Sequence, residues 1–175
     1  MKLEIGKIPN NILEKLLFQF SEPLRKEVLT KPGIGEDCAA INFEDDICVV
    51  TTDPITGADD EVGILGIHIA CNDLASSGAE PIGILVTILA PSGTELEDLE
   101  KLLKQIKETS AAMKVDVLGG HTEITDAVNR LVLSITAIGK AQKDTLISTG
   151  GAKPGDSIIL TKFAATEGTA ILAWL

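Results

Sequence analysis

The chain has 175 residues, enough for one domain with a sizeable core, and 26 Asp and Glu against 15 Lys and Arg give a formal net charge of -11. With 45% apolar and 23% charged residues, the composition excludes a disordered tail and a coiled coil. Aromatic residues make up 3% and Tyr is absent, so the core must be aliphatic, and the basic surface and stacking rings that a nucleic-acid partner requires are missing.

The first half of the chain predicts helical segments around a β-hairpin. Apolar residues at helical spacing indicate a helix over 11–20, and a second short helix is expected after Pro23. Strand-forming residues at 38–43 and 47–52, separated by three acids, indicate a hairpin. Residues 61–77 predict a helix that is apolar on nearly every side, so it should lie inside the domain.

The second half predicts strands interrupted by one strongly amphipathic helix. Residues 82–89 form an apolar run of strand length, and Thr94 with Glu97 forms a capping box before the helix. Further strands are expected at 115–118, 131–138 and 157–160, and an apolar helical run at 167–175. This order predicts an α+β fold, or mixed α/β layers, in which helices pack on one face of a mixed or antiparallel sheet.

Cysteine usage and hydropathy predict a cytoplasmic protein. Cys38, Cys48 and Cys71 are odd in number, lack zinc-ribbon spacing and stand among small or apolar neighbours, so buried thiols in a reducing compartment are expected. The N-terminus lacks the continuous apolar run of a signal peptide. No apolar stretch reaches the ~20 residues that cross a membrane, so no membrane association is expected.

The negative charge is concentrated in one segment. Residues 32–100 contain 15 Asp and Glu and no Lys or Arg. A solvated acidic surface, or an acidic face for a partner, explains this as readily as a set of carboxylates that face one another and bind cations. Hard oxygen ligands suit magnesium or calcium rather than zinc or copper.

Four short motifs are candidates for the chemistry. The glycines of GIGED at 33–37 let the backbone come close to a ligand, although a structural turn explains them equally well. TTDP at 51–54 places three oxygen-bearing side chains at the end of a strand. In NDLASSGAEP, Asp73 stands on an apolar helix, where its charge must be paired, liganded or hydrogen-bonded as an internal cap. GGHTE at 119–123 follows a predicted strand, and its glycines can offer backbone N–H groups to phosphate.

Together with GGAKPGDSIILTK, these motifs in this order resemble the aminoimidazole-ribotide-synthase (AIR synthase) superfamily. Its members include thiamine-monophosphate kinase, selenophosphate synthetase, glycinamidine synthetase and the hydrogenase-maturation dehydratase. The likeness spans roughly residues 31–170, which corresponds to the N-terminal domain of the superfamily. TTDP, the NDLA helix and TEGTAILA look most like the hydrogenase-maturation branch.

The resemblance implies an enzyme that uses ATP and magnesium to phosphorylate an amide, acyl or phosphate oxygen. It also implies a homodimer whose N-terminal sheets complete a barrel. By motif match, the implied magnesium ligands are Asp37, Thr51, Thr52, Asp53 and Asp73. Gly119 and Gly120 are implied to approach the phosphates. His121 is either a phosphate or substrate contact or a hydrogen-bonded loop residue, and Arg130 is either a nucleotide contact or a surface charge.

Two departures from the family pattern bear on function. The kinase branch has Asp where this chain has His121, and relatives continue into a C-terminal domain. The expected organisation is an N-terminal helical segment over 1–30, the ATP-binding domain over 31–160 and the start of that second domain over 161–175.

The function that the resemblance favours is that of the hydrogenase-maturation enzyme, which dehydrates a protein-borne carboxamide to a nitrile and works with a maturation partner protein. The alternatives are a small-molecule kinase, like thiamine-monophosphate kinase, and a non-catalytic dimerisation or partner-binding module.

Overall fold

The computed structural model describes residues 9–18, 25–30, 32–36, 38–56 and 61–174. Its helices and strands, in chain order, are α1 (Asn10–Leu17), β1 (Cys38–Phe43), β2 (Asp46–Ile55), α2 (Val62–Ser76), β3 (Glu80–Pro91), α3 (Leu96–Met113), β4 (Asp116–Thr125), β5 (Val132–Ala141) and α4 (Thr166–Trp174).

The five strands form one mixed sheet in the order β1-β2-β5-β3-β4. Neighbouring strands are antiparallel except β3 and β4, which are parallel. A parallel pair needs a long crossover, and α3 supplies it. A bridge between Val28 and Ile41 extends the sheet beyond β1. The expected α+β fold with a mixed sheet is thereby confirmed.

Helix α2 is the centre of the helical layer. It packs against β2, β5 and β3 on one side and against α3 on another, which is the environment that an almost wholly apolar helix requires. The approach to the sheet is close at Gly66, where a β-carbon would lie 2.9 Å from Cδ1 of Ile135. The prediction that this helix lies inside the domain is confirmed only in part, because His68, Asn72, Ala75 and Ser76 are exposed.

The core lies between α2, α3 and one face of the sheet. Burial alternates along β2 and β5, so every second side chain of these strands points towards the helices. The largest fully buried side chains are Ile47, Val49, Ile67, Cys71, Leu74, Ile84, Ile88, Leu133 and Ile135. None of these is aromatic, as the composition predicts.

Three local expectations are wrong. The hydroxyl of Thr94 donates to the carbonyl of Pro91 at 2.7 Å, and α3 begins after Glu95 with no side-chain cap, so no capping box forms. Residues 157–160 are not a strand, since strand-forming residues need a partner strand. Residues 25–30, which would continue a helix after Pro23, form a turn and the bridge to β1 instead.

No disulfide joins the three cysteines. Cys71 is buried, whereas Cys38 and Cys48 are half-buried. Burial raises the pKa of the Cys48 and Cys71 thiols, because the thiolate form loses its hydration. The expectation of buried thiols is confirmed for Cys71 and only in part for the other two.

The segment after β5 carries exposed apolar side chains. Ile158, Ile159 and Phe163 are 100%, 84% and 85% exposed, and Leu172 on α4 is 74% exposed. The helix expected over 167–175 is present as α4. Across the ranges that the structure describes, no helix combines the length and hydropathy needed to cross a bilayer.

We expect Leu74→Ala to lower the free energy of unfolding by about 2–5 kcal/mol, because it leaves a cavity where α2 meets the sheet. Leu103→Ala on α3 is the matched control: Leu103 is 50% exposed, so its loss should cost less than about 1 kcal/mol. Urea unfolding of both variants measures the difference. Equal costs would contradict the assigned core.

Candidate functional site

The candidate site begins with a contact between β2 and α2. Thr51 is 3% exposed, and its hydroxyl donates a hydrogen bond of 3.1 Å to Oδ2 of Asp73. Asp73 is half-buried, on a helix whose buried positions are all apolar or glycine. A carboxylate in such surroundings needs polar partners, and Thr51 both satisfies and orients it. Of the alternatives expected for Asp73, the structure shows a hydrogen bond, and the role of Asp73 as a magnesium ligand stays a prediction.

The pleat of β2 divides the TTDP motif between the two faces of the sheet. Because side chains alternate along a strand, Asp53 shares the α2 face with Thr51 and is half-buried. Thr52 points to the opposite face, where its hydroxyl hydrogen-bonds to that of Thr136 on β5 at 2.9 Å. The structure therefore joins Thr51 to Asp73, places Asp53 on the same face, and separates Thr52 from them.

The GGHTE motif lies inside β4, not directly after a short strand as predicted. Parallel pairing with β3 continues through the glycines, with Gly119 opposite Leu85 and Gly120 opposite Val86. Gly119 and Gly120 have φ values of 153° and 154°, and a β-carbon at position 120 would collide with the carbonyl oxygen of Val86. Only glycine allows β4 to approach β3 this closely.

His121 forms a pair with a residue that the motif analysis did not single out. Its Nε2 lies 3.1 Å from Oε2 of Glu123, and both side chains are exposed on the same side of β4. His121 stands opposite Thr87, which faces away from α2. His121 therefore lies on the side of the sheet that carries Thr52. Of its two expected roles, the loop residue is wrong in position, because His121 belongs to a strand, whereas the phosphate or substrate contact stays a prediction.

The GIGED turn is tied to the segment that follows β5. Oε1 of Glu36 accepts a hydrogen bond of 2.6 Å from the hydroxyl of Thr149. Asp37 lies outside the described residues, so its assignment as a magnesium ligand stays a prediction.

Arg130 lies far from the Thr51–Asp73 contact. It is exposed just before β5 and lines a cavity together with Glu61, which precedes α2. Asp73 is near the other end of this helix, roughly 17 Å away along the helix axis.

The described residues contain few clusters of side chains that could bind a metal ion. They include no group of three or more His, Cys, Asp or Glu side chains that could hold a metal ion. The hydroxyl of Thr51 and the carboxylates of Asp53 and Asp73 are nevertheless hard oxygen donors, the class that magnesium prefers. These three residues are the part of the predicted ligand set that shares one side of the sheet.

Sequence reasoning missed Thr136 and Glu123. Nothing in the local sequence indicates that Thr136 contacts Thr52. The two residues are 84 positions apart, and their contact depends on the pairing of β2 with β5. Glu123 could have been found from the sequence, because it stands two positions after His121 and residues two apart on a strand share a face.

The sequence pattern of the AIR synthase related protein N-terminal domain matches residues 35–141, more than half of the chain. The chain belongs to the AIR synthase related family. The match begins within the GIGED turn and ends with β5, so it includes all five strands of the sheet.

Relatives within the AIR synthase related family have different names. A Methanocaldococcus jannaschii protein named for hydrogenase expression/formation is 34% identical over 149 residues, which cover 80% of this chain and 44% of that protein. The phosphoribosylformylglycinamidine cyclo-ligase of Pyrococcus furiosus is 35% identical over 149 residues, covering 77% of this chain and 43% of the relative.

A solved structure of the hydrogenase maturation protein HypE in complex with ATP has the same fold. Its TM-score is 0.57 at 22% identity, and the match covers 79% of this chain and 40% of that one. The chain therefore spans less than half the length of each of these three proteins.

We expect Thr51 and Asp73 to be energetically coupled. In a double-mutant cycle of Thr51→Val and Asp73→Ala, the coupling free energy should be about 1–3 kcal/mol, because the lost hydrogen bond has a charged acceptor. The control cycle pairs Thr52→Val with Asp73→Ala and should be additive within about 0.5 kcal/mol, since Thr52 faces the other side of the sheet. Chemical denaturation measures both, and an additive Thr51 cycle would contradict the contact.

Proposed function

We propose that this chain is the ATP- and magnesium-binding domain of an AIR-synthase-like enzyme that activates an amide, acyl or phosphate oxygen by phosphoryl transfer. The observation that carries the proposal is the half-buried Asp73 carboxylate, set on an apolar helix and oriented by the buried hydroxyl of Thr51. The fold shared with the ATP complex of HypE supports it.

The donor set fits magnesium. Asp53 and Asp73 offer carboxylate oxygens and Thr51 a hydroxyl, with no soft sulfur or imidazole ligand among them. These residues belong to the segment 32–100, which has 15 acids and no basic residue. A bound cation would offset this local excess of negative charge. We propose that Asp37 belongs to the same site. The predicted role of Thr52 as a ligand does not fit this site, because its hydroxyl lies on the opposite face of the sheet and hydrogen-bonds to that of Thr136.

The residues of the chain would position the phosphates rather than react with them. Magnesium, when bound, supplies neutralisation of phosphate charge, and phosphoryl transfer depends mainly on such positioning and electrostatics. Thr51 holds the Asp73 carboxylate in one orientation, and the packing of α2 fixes its backbone. Gly120 lies in the same cross-strand row as Asp53, about 14 Å away across two intervening strands. Ile135 and Val86, which separate the two residues in this row, are buried in the core, so Asp53 and Gly120 do not line one open surface on this side of the sheet.

We propose the hydrogenase-maturation reaction as the specific activity, in which a protein-borne carboxamide is dehydrated to a nitrile. The hydrogenase expression/formation name of the Methanocaldococcus relative supports this choice. His121, where a kinase-like member has Asp, argues against the kinase alternative. Because the chain covers less than half of its relatives, we propose that the apolar residues exposed around Ile158 and Phe163 pack against a second domain, which completes the site.

We expect isothermal titration calorimetry to show ATP binding that depends on magnesium. Asp53→Asn should weaken this binding at least about tenfold, because a magnesium ligand loses its charge. The matched control is Asp45→Asn in the exposed turn between β1 and β2, which should bind as the unaltered chain does. Absence of magnesium-dependent affinity would leave the non-catalytic module as the function.

We also propose that the face of the sheet opposite α2 binds a second copy of this face and so completes a barrel. Apolar side chains recur there: Val50 and Ile138 are paired neighbours, and Leu85 and Phe43 are 40% and 62% exposed. Since α2 and α3 pack on the other face, association of this face with a second copy would remove these side chains from water.

We expect sedimentation velocity to show a dimer that Leu85→Lys dissociates, because a charge would then be buried at the interface. Leu103→Lys on α3 is the matched control, with an exposed fraction of 50% against 40% for Leu85, and it should leave the dimer intact. A monomeric unaltered chain, or a Leu85→Lys dimer, would contradict the proposed interface.

A further inference from the structure

The segment that follows β5 returns across the end of α2. We call residues 142–149 the strap. The backbone N–H of Ile147 in the strap donates to the carbonyl of Ser77 at 3.0 Å. Gly78 allows this close approach, because its φ is 75° and a β-carbon there would collide with the carbonyl oxygen of Thr145. The strap is therefore fixed against the C-terminal end of the helix.

The strap ends at the GIGED turn. The hydroxyl of Thr149 donates to Oε1 of Glu36 at 2.6 Å, which is the length of a charge-assisted O–H···O⁻ bond. Thr149 stands two residues after Ile147, so their two Cα atoms are at most about 7 Å apart. A span of two residues therefore joins the end of α2 to the turn that precedes β1.

These contacts form a circuit around the hydrogen bond between Thr51 and Asp73. Cys38, which stands two residues after Glu36, is paired with Thr51 across β1 and β2. The hydroxyl of Thr51 donates to the Asp73 carboxylate, and the backbone carbonyl of Asp73 accepts from the N–H of Ser77, which the strap contacts. The hydrogen bond from the strap to Glu36 completes the circuit. The carboxylates of Glu36 and Asp73 are therefore connected both through the sheet and through the strap.

Few other contacts of the described residues hold the GIGED turn. Ile34 is 42% exposed, and apart from its chain neighbours no described atom lies within 4 Å of where a β-carbon on Gly35 would stand. The N–H of Glu36 donates to the carbonyl of Gly33 at 3.3 Å, but this bond lies within the turn. A segment with so little packing opens easily, so the bond from Thr149 should control the position of the turn.

We propose that Thr149 is a positioning residue for the magnesium site. It holds the Glu36 carboxylate, and through it the GIGED turn, beside the Thr51–Asp73 contact before a metal ion binds. This inference rests on the proposed function, in which Asp37 of the same turn belongs to that site. Without the bond, the turn must become ordered when the metal ion binds, and the conformational entropy that is then lost weakens binding.

The test compares Thr149→Val with Thr149→Ser by isothermal titration calorimetry with ATP and saturating magnesium. We expect Thr149→Val to weaken ATP binding about three- to tenfold, because one exposed hydrogen bond is lost. Thr149→Ser keeps the hydroxyl and should bind as the unaltered chain does. Ser148→Ala is the matched control, since this neighbouring hydroxyl donates to the nearby carbonyl of Gly150 instead.

Two further measurements separate positioning from a general loss of structure. Urea unfolding without ligand should give nearly the same free energy for Thr149→Val as for the unaltered chain, because Thr149 and Glu36 are both exposed. In a Glu36→Ala background, Thr149→Val should not weaken ATP binding further, because the acceptor of its hydrogen bond is already absent.

The contrary outcomes distinguish this proposal from the proposed function. If the unaltered chain shows no magnesium-dependent binding of ATP, both are contradicted. If the unaltered chain binds and Thr149→Val binds equally well, only the positioning role is overturned. The positioning role is also overturned if Ser148→Ala weakens binding as much as Thr149→Val does, or if Thr149→Ser fails to restore binding.

Discussion

The burial of α2 against β2 and β5 is the constraint on which the rest of the structure depends. This helix has almost no polar face, so it is stable only with the sheet on one side and α3 on another. Its position then fixes where Asp73 stands. A carboxylate on a mobile surface helix would be hydrated and free to rotate, whereas Asp73 meets a buried hydroxyl on the neighbouring strand. The same packing that stabilises the fold therefore orients the candidate ligand.

The sheet separates the polar residues into two sets. Thr51 and Asp53 face the helices, whereas Thr52 and Thr136 face the opposite side, where apolar side chains also accumulate. One set adjoins the core, and its half-buried carboxylates, together with that of Asp73, are the candidate ligands. The other lies in the face that we propose to be an interface. A motif of three adjacent residues thus contributes to two different surfaces, and substitutions at neighbouring positions should affect different properties of the protein.

Periodicity and motif order were sufficient to predict the fold class, the hairpin, the buried helix and the family. These features depend on local pattern, such as the unbroken apolar run of α2. The capping box at Thr94 and the strand at 157–160 were wrong for a different reason: the residue types were suitable, but the partner group was elsewhere or absent. For the site, the sequence identified Asp73 as a charge that needs a partner. It could not identify Thr51 as the partner that donates to Asp73, and it could not place Thr52 on the other face. Both facts depend on the register of the strands.

The position of β5 has a consequence for how the chain acquires its structure. β5 is the last strand in sequence, yet it lies at the centre of the sheet, between β2 and β3. Thr52 and Thr136 are bonded although they are 84 positions apart. Contacts of such separation form slowly, because a long loop must close before they can stabilise anything. During synthesis, the hairpin of β1 and β2 and the apolar surface of α2 must therefore wait for residues 132–141 to leave the ribosome. The newly made chain exposes its future core until this strand has been synthesised, which is the period when a chaperone would be most useful to it.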